Sequence, residues 1–170
     1  VDLVKYEADL KKLKINLAID DNAPKFIFVD YIRLKQVLIN LLSNAVKFTE
    51  KGGIDLSVSV FEYINDQKIK LKFSVKDTGI GIKKINQLRI FEAFSQEDTS
   101  TTKRFGGTGL GLSISNQLLS LMDSKLELGS EFGEGSEFSF ILEVNYSNQK
   151  ASEKNAKTIS KTPLSSSIVT

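Results

Sequence analysis

From Leu34 to Ala45 the apolar residues Leu34, Val37, Leu38, Leu41, Leu42 and Ala45 fall at i, i+3, i+4, i+7, i+8 and i+11. That spacing is one stripe of an amphipathic helix of about four turns, starting near Tyr31. On either side of it the period is two. Leu13, Ile15, Leu17 and Ile19 alternate with polar or small residues until Pro24 breaks the pattern. Past Gly52-Gly53, where the helix is expected to stop, Ile54, Leu56, Val58 and Val60 alternate with Asp55, Ser57 and Ser59. Ile69, Leu71, Phe73 and Val75 repeat the alternation after Asn65-Asp66, which has turn chemistry. A helix set between strands with one apolar face has to be buried against a sheet.

The remaining segments extend this pattern. Ile82 to Phe94 reads as a short helix, and Leu110, Ile114, Leu118, Leu121 and Met122 mark a second strong one. Leu126/Leu128 and Phe138/Phe140/Leu142/Val144 read as two closing strands joined through Gly133 and Gly135. The expected architecture is α+β: a two-layer sandwich of a mixed, mostly antiparallel sheet on about three helices. Residues 13–146 form its body. Residues 147–170, rich in Ser, Lys, Thr and Asn, read as a disordered linker.

Composition excludes several chemistries. With 170 residues and 41% apolar content the chain fits one domain with one core. It has no cysteine and no histidine. Disulfides, Cys/His metal sites, a Ser-His-Asp triad and a phosphorylated histidine within this chain are therefore excluded. No P-loop, zinc-protease or nucleophile-elbow motif is present. No apolar run is long enough to span a bilayer. The N-terminus lacks signal-peptide order, so a cytoplasmic protein, or the cytoplasmic part of a membrane-anchored one, is expected. Net charge is +2, and the four lysines and one glutamate of the tail contribute +3, leaving the body at −1. That is not the footprint of a nucleic-acid binder.

Four features carry chemistry. Asn40, Asn44 and Lys47, at i, i+4 and i+7, share a flank of the long helix. Asparagine is a weak helix former, and such a pair can be no more than a solvated face. It can also be a metal-phosphate site, in which an amide oxygen ligates Mg²⁺ and a lysine neutralises phosphate. Asp77-Thr78-Gly79-Ile80-Gly81 follows a strand directly. A carboxylate there can accept a hydrogen bond from a nucleobase amine, although an ordinary capped turn has the same letters. Gly106-Gly107-Thr108-Gly109-Leu110-Gly111-Leu112 opens the second helix and suits either a hinge or a polyphosphate cradle. Between Phe94 and Gly106 lie about a dozen polar residues ending in Lys103 and Arg104, which could close over phosphates as a lid.

Taken in order, these segments resemble the ATP-binding catalytic domain of sensor histidine kinases. RLKQVLINLLSNAVKFTEKGGI resembles the N box, VKDTGIGI the G1 box, IFEAFSQED the F box, RFGGTGLGLSIS the G2 box and GEGSEFSF the closing glycine box. The likeness runs over roughly 3–144, and FSQEDTSTTKRFGGTGLGLSIS is most similar to hybrid kinases, which carry a receiver domain. It implies the Bergerat-type sandwich with ATP and Mg²⁺ as ligands. Residues 1–12 would be the end of a linker from a preceding helical domain.

The resemblance also implies roles. Asn44 would ligate Mg²⁺, with Asn40 one turn back at the phosphate end. Lys47 would contact phosphates, and Phe48 would pack by the adenine. Asp77 would accept the adenine amine in a pocket shaped by Gly79 and Gly81. Phe91 and Phe94 would anchor the lid, with Arg104 closing it. Gly107, Gly109 and Gly111 would cradle phosphates. Ile82, Thr108, Leu110, Leu112 and Ser136 complete the expected nucleotide environment. Hydrolytic relatives of the fold carry Glu where this chain has Asn40, and an amide cannot act as base. The implied activity is therefore phosphotransfer to a histidine on a separate dimerisation domain. Alternatives are a nucleotide-binding regulatory module without transfer activity and a hydrolytic ATPase of the same fold.

Overall fold

The computed structural model describes residues 2–87, 89–91 and 110–147. Their elements are α1 (Asp2–Leu10), β1 (Lys14–Ile19), β2 (Phe26–Phe28), α2 (Tyr31–Phe48), β3 (Gly53–Tyr63), β4 (Lys68–Asp77), α3 (Lys84–Gln87), a 3₁₀ turn (Arg89–Phe91), α4 (Gly111–Ser120), β5 (Glu127–Glu131) and β6 (Gly135–Ser147). The strands form one sheet in the order β1-β3-β4-β6-β2. The free edge of β6 takes β5 beside Gly135 to Ser139 and β2 beside Asn145 to Ser147. Only β1–β3 is parallel. The expected α+β sandwich, with a mixed and mostly antiparallel sheet, is what the chain adopts.

The hairpin β3–β4 brings Leu56, Val58 and Val60 opposite Val75, Phe73 and Leu71. Its turn is held by Asn65, whose side-chain oxygen accepts the N–H groups of Gln67 and Lys68 at 2.9 Å each. Next to it, Phe73 stacks on Phe140 of β6 at 5.2 Å. Leu34, Val37, Leu41, Ala45 and Val46 of α2 are buried in this core. Each fully buried large apolar side chain is worth about 2 kcal/mol. The opposite face carries the ion pairs Lys68–Glu143, Lys70–Glu62 and Lys72–Glu137. Such exposed pairs add little stability, but they keep that face wet and send the helices to the other side.

Several sequence expectations need correction. Helix α2 ends at Phe48, before the glycines, because Thr49 is already extended (φ −105°, ψ 122°) while its N–H still returns to Ala45 O. The helix expected over 82–94 is reduced to the single turn α3 and the 3₁₀ turn among the described residues, since Ile80 to Ile82 are used in a glycine turn. In α4 the buried residues are Ser113, Ser115 and Leu119, whereas Ile114 and Leu121 are exposed. That helix turns a small, polar face to α2, which periodicity alone cannot show. All of β1 is exposed, including Ile15, Leu17 and Ile19, because it lies at the sheet edge. The short strand β2, just after Pro24, was not anticipated. Residues 2–10 form a helix whose Val4 and Ala8 enter the core. Of the segment 147–170, only Ser147 is described, and it ends β6.

Candidate functional site

The site begins on the flank of α2. There the Asn40 side-chain amide donates to Gly111 O at 3.3 Å and Ser115 Oγ at 3.2 Å, and its oxygen accepts from Gln36 Nε2 at 3.1 Å. Asn40 thus ties α2 to the first turn of α4. One turn further, the half-buried Asn44 faces the same glycine: a Cβ on Gly111 would lie 3.9 Å from Asn44 Nδ2. Lys47 follows, its ammonium 4.8 Å from the centroid of the Phe48 ring. Burial holds the Lys47 ammonium below the usual lysine range.

The second part lies where β4 ends. Asp77 is buried, and its carboxylate accepts Gly79 N–H at 2.8 Å. Burial pushes the Asp77 carboxyl above the usual carboxylate value, and backbone hydrogen bonds from Gly79 and Ser136 only partly oppose this. Gly79 must be glycine because a Cβ would press on Phe48 O and come 2.7 Å from Asp77 Oδ1. Gly81 has φ +66° and sits against Glu131 O, which again leaves no place for a side chain. Ile80 N–H donates to Phe48 O at 3.3 Å, so the turn is fastened to the end of α2.

Ser130 is a residue that sequence reasoning missed. Its hydroxyl accepts Ile82 N–H at 2.8 Å, donates to Gly135 O at 2.9 Å and lies 2.9 Å from Ser136 Oγ. Gln87 Nε2 bonds Ile82 O and Ser130 O at 2.9 and 3.0 Å. Together they hold the turn after Asp77 onto β5 and β6. A lone serine and a lone glutamine give no local signal of such a role.

The third part is the start of α4. Leu110 occupies the N-cap without a side-chain cap bond, and Gly111 and Leu112 are half-buried. A helix of ten residues whose start has no side-chain cap among the described residues can offer N–H groups and partial positive charge to an anion. Of the remaining expected site residues, Phe91 is half-buried in the 3₁₀ turn. Phe94, Lys103, Arg104, Gly106, Gly107, Thr108 and Gly109 lie outside the described residues.

The structure therefore brings together Asn40, Asn44 and Gly111 on one side and Phe48, Asp77, Gly79, Gly81, Ile82 and Ser136 on the other. The last turn of α2 joins the two groups. Among the described residues no cluster of three His, Cys, Asp or Glu could hold a metal ion. A hard cation would have to rely on an amide oxygen with water and phosphate, and magnesium suits that donor set.

The chain is similar to known proteins. Residues 29–146 match the model of the family described as histidine kinase-, DNA gyrase B-, and HSP90-like ATPase. Hybrid signal transduction histidine kinase A of Dictyostelium discoideum is 42% identical over 147 residues, which is 83% of this chain and 7% of that protein. Signal transduction histidine-protein kinase BarA of Escherichia coli K12 is 37% identical over 85% of this chain and 16% of its own length. The chain thus spans a small fraction of these curated relatives. Full-length ShkA, crystallised in complex with AMPPNP, superposes with a TM-score of 0.71 at 37% identity, over 86% of this chain and 28% of that one. The catalytic domain of histidine kinase ThkA gives 0.63 at 26% identity, over 83% and 85%. With the family model matching most of its length, this chain belongs to the histidine kinase-, DNA gyrase B- and HSP90-like ATPases.

Proposed function

We propose that this chain is the ATP-binding catalytic domain of a hybrid histidine kinase. It holds Mg-ATP and donates the γ-phosphoryl group to a histidine on a separate dimerisation and phosphoacceptor domain, in a two-component pathway that includes a receiver domain. The reaction takes place in the cytoplasm, where ATP is available. No described helix is long and apolar enough to cross a membrane.

The observation that carries this reading is the state of Asn40. Its amide is engaged with Gly111 and Ser115, and an amide accepts no proton near neutral pH, so this position supplies no base to activate water. What the site can do is position and neutralise. Phosphoryl transfer needs mainly that, since the attacking nitrogen and the leaving oxygen must be in line and the charge on the phosphoryl oxygens must be balanced. In this reading Asp77 accepts the adenine amine, and the half-buried Lys47 faces the phosphates. The N–H groups opening α4 bind phosphate oxygens. The Asn44 amide oxygen would hold magnesium, whose role is to offset phosphate charge.

The test mixes this domain with the histidine-bearing domain of the same protein and γ-labelled ATP. Label should appear on the histidine domain and never on this chain, which has no histidine. ATP binding without transfer would favour a regulatory nucleotide-binding module. Rapid phosphate release by the isolated domain would favour a hydrolytic ATPase.

A further inference from the structure

An α-helix leaves its last four carbonyls without intrahelical partners. For α2 these belong to Ala45, Val46, Lys47 and Phe48, and each is taken. Thr49 N–H bonds Ala45 O at 3.1 Å, and Ile80 N–H bonds Phe48 O. The other two are taken by one side chain from a distant part of the sequence. Lys11 Nζ donates to Val46 O at 2.6 Å and Lys47 O at 3.0 Å, and also to Thr49 O at 3.2 Å. An ammonium with three donors suits three converging carbonyls at the negative end of a helix dipole.

The placement of Lys11 is built, not incidental. Helix α1 closes with paired bonds, Leu13 N–H to Ala8 O at 2.9 Å and Lys12 N–H to Asp9 O at 3.0 Å, with Lys12 in the left-handed region at φ 56°. This is a Schellman motif, completed by burial of both Ala8 and Leu13 in the core. Lys11 is the cap residue of that motif, so its backbone is fixed where α1 lies beside the end of α2.

We infer that Lys11 is a positioning residue for the nucleotide site. The turn it holds carries Asn44, Lys47 and Phe48, and the Phe48 carbonyl is the anchor of the Asp77–Gly81 turn. A shift of α1 relative to α2 breaks the Lys11 bonds and loosens both halves of the site at their junction. The placement of α1 is thereby coupled to nucleotide affinity. The inference rests on the proposed nucleotide site.

The experiment titrates the full chain with a fluorescent ATP analogue and magnesium, well below the melting transition, for wild type, Lys11→Met, Lys11→Gln and Lys11→Arg. Val144→Ala, at the far end of β6, serves as a control of reduced stability with an unaltered α2 end. Lys11→Met should weaken binding by about tenfold, a size typical of residues that couple through a packed network. Lys11→Gln should fall between Met and wild type, and Lys11→Arg should restore most of the affinity. If Lys11→Met does not fold, the Gln and Arg variants still decide. Wild-type affinity in the Met or Gln variant, a loss no greater than that of Val144→Ala, or no recovery with Arg overturns the role of Lys11. Failure of the wild-type chain to bind the analogue overturns the site assignment itself, and with it this inference.

Discussion

Helices α2 and α4 meet at the candidate site, yet their facing ends are built in opposite ways. α2 is capped at both termini. Asp30 caps its start by accepting Arg33 N–H at 3.1 Å, and all four terminal carbonyls at its other end have donors. α4 is closed at its far end by a left-handed Asp123 (φ 54°) with Ser124 N–H on Leu119 O at 2.9 Å. Its first turn has no side-chain cap. The contrast separates two kinds of contribution. Folding itself completes what α2 offers, whereas the opening of α4 is where the proposed function puts a phosphate anion.

The sharpest way to break this comparison is at the α2 end. Gly79→Ala would drive a methyl group into Phe48 O, which is already bound to Ile80 N–H. If the end of α2 is as fixed as its bonding implies, the variant loses about 3 kcal/mol, typical of severe overpacking. Urea midpoints measure it. A loss under about 1 kcal/mol would mean that this end yields easily, and α2 would then be no more preorganised than α4.

Asp77 gives a smaller, pH-dependent effect. Its folded pKa is raised by burial, so the carboxyl holds its proton more tightly in the native state than in the unfolded chain. Between the ordinary carboxylate value and the raised one the folded state binds more protons, and stability falls as pH rises through that window. Asp77→Asn removes this dependence. Denaturation midpoints of the two proteins, followed upward from about pH 4, should converge toward the acid end and separate in favour of Asn at neutral pH. Parallel curves would show that the carboxylate carries no burial penalty. If Asp77 accepts the adenine amine as proposed, the same variant should lose nucleotide affinity, because its amide oxygen is an uncharged and weaker acceptor.

How much of this was legible in the sequence depends on the range of the interaction. The buried face of α2 from Leu34 to Ala45, the β3–β4 hairpin and the Asn65 turn are local patterns, and each was read from residues a few positions apart. The Asn40–Asn44–Lys47 flank followed from helical spacing alone, and the likeness of the motif series to a family singled out Asp77, Gly79 and Gly81 as candidates. What was missed is non-local. Lys11 reaches Val46, 35 positions away, and Ser130 meets Ile82 at 48. Neither partner can be inferred from period or motif. The misread face of α4 has the same origin. Periodicity says which residues share a side, but here the Asn40–Ser115 bond lies on the buried side and leaves Ile114 at 39% exposure. The exposure of β1 depends on its edge position, which only the sheet order reveals.

Gly111→Ala tests the α4 side and has the smallest expected effect on stability. Among the described residues, and apart from its chain neighbours and the helix's own backbone, the nearest atom to an added Cβ is Asn44 Nδ2 at 3.9 Å, an ordinary contact. Alanine is also the better helix former by up to about 1 kcal/mol. If glycine stood here for folding, the variant would be less stable, as Gly79→Ala must be. If it stands here so that a phosphate can approach the backbone, the melting temperature should rise slightly while nucleotide affinity falls, because the methyl group projects toward Asn44 in the space the ligand needs. The two glycine variants then move stability in opposite directions while both weaken binding. A lowered melting temperature for Gly111→Ala, or unchanged affinity, would remove the distinction between a prebuilt α2 and an α4 left open for its ligand.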